Sequence, residues 1–188
     1  MDLKGSRTEV NLMKAFAGES QARNRYNFFA DKAKKEGYER IAAIFELTAE
    51  QERVHAKKFF SFLTGGMAEI TAAFPAGVVG STLENLEAAA AGEHEEHTAL
   101  YPEFADVARE EGFANVAKAF DAIRVAEKFH EKRYRALADD LRQGKIFRKD
   151  EPSAWYCRKC GYIHEGPEAP DFCPACNHPK AYFELAEF

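Results

Sequence analysis

The sequence predicts a mainly α protein: a four-helix bundle with one long connection between its second and third helices, followed by a small four-cysteine metal domain. Three observations carry this prediction. Glu52-Arg53-Val54-His55 returns as Glu127-Lys128-Phe129-His130, 75 residues later. Both copies sit in a four-three spacing, Ile41, Phe45, Thr48, Glu52, His55, Phe59, Phe62 and Val116, Phe120, Ile123, Glu127, His130, Tyr134, Leu137, Leu141, which marks the buried seam of a bundled helix. All four cysteines fall between residues 157 and 176.

Composition bounds the rest. With 188 residues, 46% of them hydrophobic, and 16 phenylalanines, the chain can bury one sizeable core and a small second unit. A net charge of -5 spread over mixed-sign segments argues against a nucleic-acid-binding face. No apolar run reaches the length of a membrane span, and Met1-Asp2-Leu3-Lys4-Gly5 does not open a signal peptide, so a soluble, cytoplasmic protein without membrane contact is expected. In a reducing compartment the clustered cysteines read as metal ligands before disulfides.

The first helix is expected over residues 8–35, with Leu12, Phe16, Glu19, Tyr26, Ala30 and Ala33 on one face and Gly37 ending it. The second follows over 38–63, and the short turn makes the pair antiparallel. Residues 64–81 show no helical period; at ~3.3 Å per residue they can reach over ~50 Å, enough to traverse a bundle about 40 Å long. Such a crossover is the single long connection of a ferritin-like bundle, although it could equally carry the last two helices to a second protomer. The third and fourth helices are expected over 82–110 and 113–143, joined at Gly112 as the first pair is at Gly37. The ranges are then 1–146 for the bundle, 147–153 for a linker and 154–188 for the tail.

The two halves align at an offset of 75, Tyr26 with Tyr101, Phe29 with Phe104 and Phe45 with Phe120, but Glu19 matches Glu93 at 74. One extra residue therefore lies between Glu93 and Tyr101. A π-bulge is predicted there, because that is how a continuous helix absorbs one residue.

Glu52, His55, Glu127 and His130 occupy seam positions where apolar residues belong, and burying them alone would cost several kcal/mol each. Metal coordination answers that cost, since Glu and His three apart on a helix reach one small volume. With Glu19 and Glu93 from the other helices, the set is one Glu from each of two helices and a Glu-x-x-His from each of the others, the pattern of di-metal carboxylate bundles. Glu96 is surplus. Five carboxylates and two imidazoles favour iron or manganese. In the tail, Cys157-x-x-Cys160 and Cys173-x-x-Cys176 make a four-sulfur site, for which zinc and iron are both eligible and a structural zinc ribbon is the commoner outcome of the spacing.

Taken together, the ligand set, the domain order and the tail motifs Trp155-Tyr156-Cys157-x-x-Cys160-Gly-Tyr162 and Cys173-Pro-x-Cys176 resemble the rubrerythrins, over nearly the whole chain. The resemblance implies a ferritin-like di-iron bundle joined to a rubredoxin-like domain whose cysteines hold iron, with zinc a possible substitute. It implies that Glu52 and Glu127 bridge two irons, that Glu19 and Glu93 cap them, and that His130 binds one. His55 and Glu96 would exchange at the other, and Tyr26 and Tyr101 would hydrogen-bond the carboxylates. His94 and His97 are expected to face solvent or the surroundings of the site.

By the same resemblance the chain would be a peroxidase of oxidative-stress defence, taking hydrogen peroxide as substrate and electrons from a reductase or rubredoxin. No Gly-x-Gly-x-x-Gly motif occurs, so oxidation of NAD(P)H falls to a separate reductase. A homodimer, with helix-swapping between protomers left open, would pass electrons between subunits. The alternative is a ferroxidase or iron-storage protein, against which the four-cysteine tail argues; a zinc-ribbon scaffold that docks partners is the non-enzymatic reading.

Overall fold

The computed structural model describes residues 2–186; the outer ends of the expected ranges, residues 1, 187 and 188, lie outside it. The first pair of helices is α1 (Arg7–Lys35) and α2 (Glu39–Phe60). The third helix is continuous but not uniform: α3 (Thr82–Glu95) passes into a π-helical turn (Glu96–Leu100) and then α4 (Tyr101–Glu110). The fourth is α5 (Ala114–Arg142). The π turn lies where the change of offset from 74 to 75 requires one residue to be absorbed.

Capping residues fix the helix starts. Ser6 accepts from the Glu9 amide at the head of α1, and Ser81 with Glu84 forms a reciprocal capping box at the head of α3. The two helix pairs also cap one another. Glu36 Oε2 accepts from the Thr82 amide at 2.8 Å and its hydroxyl at 2.6 Å, and Glu111 Oε2 accepts from the Thr8 amide and hydroxyl at the same two distances. These carboxylates meet helix N-termini, where negative charge is favoured. Within this chain α3, α4 and α5 pack on one another and on α1 and α2.

Two apolar clusters fill the bundle. Tyr26, Phe29, Phe45, Leu86 and Tyr134 belong to one; Leu12, Phe59, Tyr101, Phe104 and Phe120 belong to the other. Each fully buried phenylalanine contributes about 1.5–3 kcal/mol relative to leaving it exposed. The acidic residues of the seams lie between these clusters. Residues 64–81 form the crossover, without helix or strand, and Phe74 packs on α1, 3.8 Å from the position a Cβ would take on Gly18.

Beyond α5 the tail forms a three-stranded antiparallel sheet, β1 (Arg148–Cys157), β2 (Ile163–Glu168) and β3 (Phe183–Leu185), with β1 in the centre. Residues 148–153, expected within a linker, are the first half of β1. The register shifts between Arg148 and Ser153, where Pro152 cannot donate to the ladder. Trp155 is fully buried and its indole donates to the Gly166 carbonyl at 3.0 Å. The tail rests on the α1–α2 turn: Tyr38 stacks on Phe147 with ring centroids 6.0 Å apart. Gly37, at φ 83°, approaches the Ala181 side chain.

Candidate metal centre

The seams of α1, α2, α3 and α5 deliver their polar residues to one band of the core. Glu19, Glu52, Glu93 and Glu127 are buried to within 1% of complete, and His130 is 5% exposed. The donor atoms form two four-residue groups that share Glu52 and Glu127: Glu19, Glu52, His55, Glu127 and Glu52, Glu93, Glu127, His130, each within 4.8 Å. His55 Nδ1 stands 2.8 Å from Glu52 Oε2 and 3.0 Å from Glu127 Oε1. His130 Nδ1 stands 2.9 Å from Glu127 Oε2, 3.1 Å from Glu52 Oε1 and 3.5 Å from Glu93 Oε2.

Tyrosines from the bundle's two halves complete the frame. The Tyr26 hydroxyl donates to Glu93 Oε1 at 2.5 Å, and the Tyr101 hydroxyl donates to Glu19 Oε1 at 2.6 Å. Each occupies one oxygen of a carboxylate and leaves the other, Glu93 Oε2 and Glu19 Oε2, buried without a hydrogen-bond partner. Glu52 Oε1, both oxygens of Glu127 and His130 Nδ1 meet one another and His55 at ion-pair distances, without an aligned hydrogen bond.

So many unpartnered polar atoms in one core are costly unless cations neutralise them. The titration behaviour says the same. Burial and the charges of Glu52 and Glu127 push the Glu19 carboxyl well above its ordinary range. Burial and Glu52 raise Glu93 to about 8, and burial and Glu93 raise Glu96 strongly. Burial opposes protonation of His55 and His130, yet their carboxylate partners prevail and lift them to about 9 and about 12. A donor set of this hardness and charge suits two divalent cations that share the bridging carboxylates.

Glu96 belongs to neither four-residue group. It begins the π turn, half-buried, and lines a cavity of about 280 Å³ together with Gly18, Arg25, Phe74 and Tyr101. His94 and His97 turn toward Glu131 of α5 rather than toward the centre.

The tail's four cysteines converge as well. Cys157 Sγ and Cys176 Sγ are 3.8 Å apart, and Cys160 Sγ and Cys173 Sγ 3.6 Å. A tetrahedral ion with metal–sulfur bonds of about 2.3 Å has edges of about 3.8 Å, so the thiols already stand at coordination spacing.

One neighbour of the centre had not been singled out in the sequence. Gln51 Oε1 lies 3.0 Å from His130 Nε2 and can accept its proton, leaving Nδ1 to face the carboxylates. Gln51 interrupts no apolar stripe, and only its position beside Glu52 pointed toward the site.

The rubrerythrin family model matches residues 10–138, and the model described as "Rubrerythrin, rubredoxin-like domain" matches 155–184. The chain belongs to the rubrerythrin family. Rubrerythrin of Nitratidesulfovibrio vulgaris is 58% identical over 183 residues, covering 97% of this chain and 96% of that one. Rubrerythrin of Porphyromonas gingivalis is 61% identical over 182 residues, covering 97% and 91%. A solved structure of nigerythrin, described as fully reduced and all ferrous, superposes with a TM-score of 0.64 at 34% identity and covers 98% of this chain and 91% of that one.

Rubrerythrins bind iron, and the residues of this member fit it at both places: a carboxylate-rich, imidazole-containing pair of donor groups in the ferritin-like bundle and four thiols in the rubredoxin-like tail. The family places the chain among oxidoreductases. Among the described residues, no helix is long and apolar enough to cross a membrane.

Proposed function

We propose that this rubrerythrin is a peroxidase that reduces hydrogen peroxide to water in the cytoplasm as an oxidative-stress defence. Electrons reach the bundle through the four-cysteine iron from an external NAD(P)H-linked reductase or a rubredoxin. The observation that carries this reading is the presence, on one chain, of two buried carboxylate–imidazole donor groups sharing Glu52 and Glu127 and a separate cluster of four thiols. A storage protein needs no such second redox site. Iron bound in these sites would supply one-electron chemistry, and reduction of hydrogen peroxide to two waters takes two electrons and two protons.

In this reading Glu52 and Glu127, common to both donor groups, would hold both ions, and Glu19 and Glu93 would each hold one through the oxygens that Tyr101 and Tyr26 leave free. His130 would bind through Nδ1 while Gln51 accepts from its Nε2. His55 and Glu96 would serve as alternative ligands on the remaining side: His55 lies among the donors here while Glu96 lines the adjacent cavity. That cavity is large enough for peroxide and offers Glu96 as the carboxylate that meets it. The tyrosines fix the capping carboxylates and, with the surrounding phenylalanines, keep bulk water from the centre.

The assembly in this proposal is a homodimer in which the tail of one subunit supplies the bundle of the other. Stopped-flow absorbance of anaerobically reduced protein, mixed separately with peroxide and with oxygen, tests the whole reading. Peroxide is expected to restore the ferric-thiolate colour within seconds and oxygen far more slowly. Faster reoxidation by oxygen would sink it in favour of a ferroxidase.

A further inference from the structure

His94 and His97 stand one turn apart where α3 passes into the π turn, and neither belongs to the two donor groups of the bundle centre. His94 Nδ1 lies 3.0 Å from Glu131 Oε1, and His97 Nε2 lies 2.5 Å from Glu131 Oε2. One donor atom from each of the three falls within 4.8 Å of the others, and the two rings meet edge to face with centroids 5.4 Å apart. The group opens to solvent: the His94 side chain is 55% exposed, those of His97 and Glu131 14% and 13%.

The geometry points to a peripheral site for one divalent transition-metal ion of borderline character, zinc, copper(II) or nickel, bound by His94, His97 and Glu131 with water completing its shell. Two imidazoles and one carboxylate are a three-ligand set that leaves a coordination position open, and imidazole nitrogen selects these ions over magnesium or calcium. The backbone positions are set by two helices packed side by side, so little ordering is needed on binding. An ion with ligands at about 2.1 Å spaces its donors by about 3.4 Å. His94 and Glu131 are near that spacing already, and His97 and Glu131 must part by less than about 1 Å.

Arg135 is the competitor. Its Nε donates to Glu131 Oε1 at 2.7 Å, so a cation arriving at this oxygen must displace it or share the carboxylate. Arg135 is 56% exposed and free to swing into solvent. A plain hydrogen-bonded cross-link between the π turn and α5 would contain the same His97–Glu131 contact but would not take up metal. It would also not gain affinity when Arg135 is removed.

The test is equilibrium dialysis of untagged, iron-loaded protein against copper(II) and against zinc, with bound iron measured in the same samples. One further equivalent of metal is expected with iron content unchanged, and the copper form should show hyperfine coupling to two nitrogens in its electron paramagnetic resonance spectrum. His94→Ala should weaken binding about ten-fold or more, Arg135→Ala should tighten it, and His164→Ala, on β2 of the tail, should leave it alone. No uptake, uptake that releases an equal amount of iron, or uptake undiminished in His94→Ala would overturn the assignment.

Discussion

The Tyr26 hydroxyl of α1 donates to Glu93 Oε1 of α3 across 2.5 Å, and Tyr101 returns the same bond from α4 to Glu19 of α1. Each half of the bundle thus holds a carboxylate of the other. Tyr26→Phe and Tyr101→Phe each leave a buried carboxylate oxygen without its donor, which costs about 1–3 kcal/mol. Chemical denaturation should show that loss in each variant. Peroxide turnover should fall about 10- to 100-fold, as when other supports of a metal ligand are removed. Unchanged turnover in both would show that the hydroxyls only fill space.

Gln51→Leu removes the acceptor of His130 Nε2 while keeping approximate volume. Iron retention in the bundle, measured by dialysis against a chelator, should weaken about 10- to 100-fold. Gln51→Glu, which keeps an acceptor, should retain iron better than the leucine variant.

Glu36 and Glu111 cap the opposite helices, and their acidities respond. Burial opposes the Glu36 anion, but the Thr82 hydroxyl and Lys32 outweigh it and hold the carboxyl below its ordinary range; the Thr8 hydroxyl does the same for Glu111. A folded-state pKa below the unfolded value gives stability that is complete above the ordinary carboxylate range near 4.3 and vanishes as pH falls through the folded value. The double variant Glu36→Gln, Glu111→Gln should therefore be less stable than the parent at pH 7, by about 1 kcal/mol per cap. The gap should close as pH falls below the ordinary carboxylate range near 4.3. Urea midpoints measured across that range check it, and a constant gap would refute the charge argument.

Deleting Ala99 from the π turn restores the 74-residue offset throughout and should yield a regular helix with Glu93 and Tyr101 still in register. Circular dichroism should show an intact bundle, with melting temperature unchanged or raised. Turnover should fall at least about ten-fold, because Glu96 loses the widened turn from which it faces the cavity. Full activity in the deletion would mean the π turn has no part in the chemistry.

Much of this was legible because helical periodicity is local. Spacing alone puts Glu52, His55, Glu127 and His130 on buried seams, and the count of residues between Glu93 and Tyr101 sets where the π turn falls. Helix ends were equally readable at Gly37 and Gly112, where the chain must take a positive φ that costs glycine nothing.

The sequence by itself therefore determined the ferritin-like bundle, the four-thiol tail and the residues aimed at the core, since these follow from periods of 3.6 and from fixed Cys-x-x-Cys spacing. Only the tertiary structure decided which atoms meet across helices. It set Gln51 against His130, brought Glu131 to both His94 and His97, and turned Glu96 to the cavity under Phe74. The reason is that spacing along a helix is fixed by covalent geometry, whereas contacts between helices depend on the angle, rotation and offset at which whole elements pack.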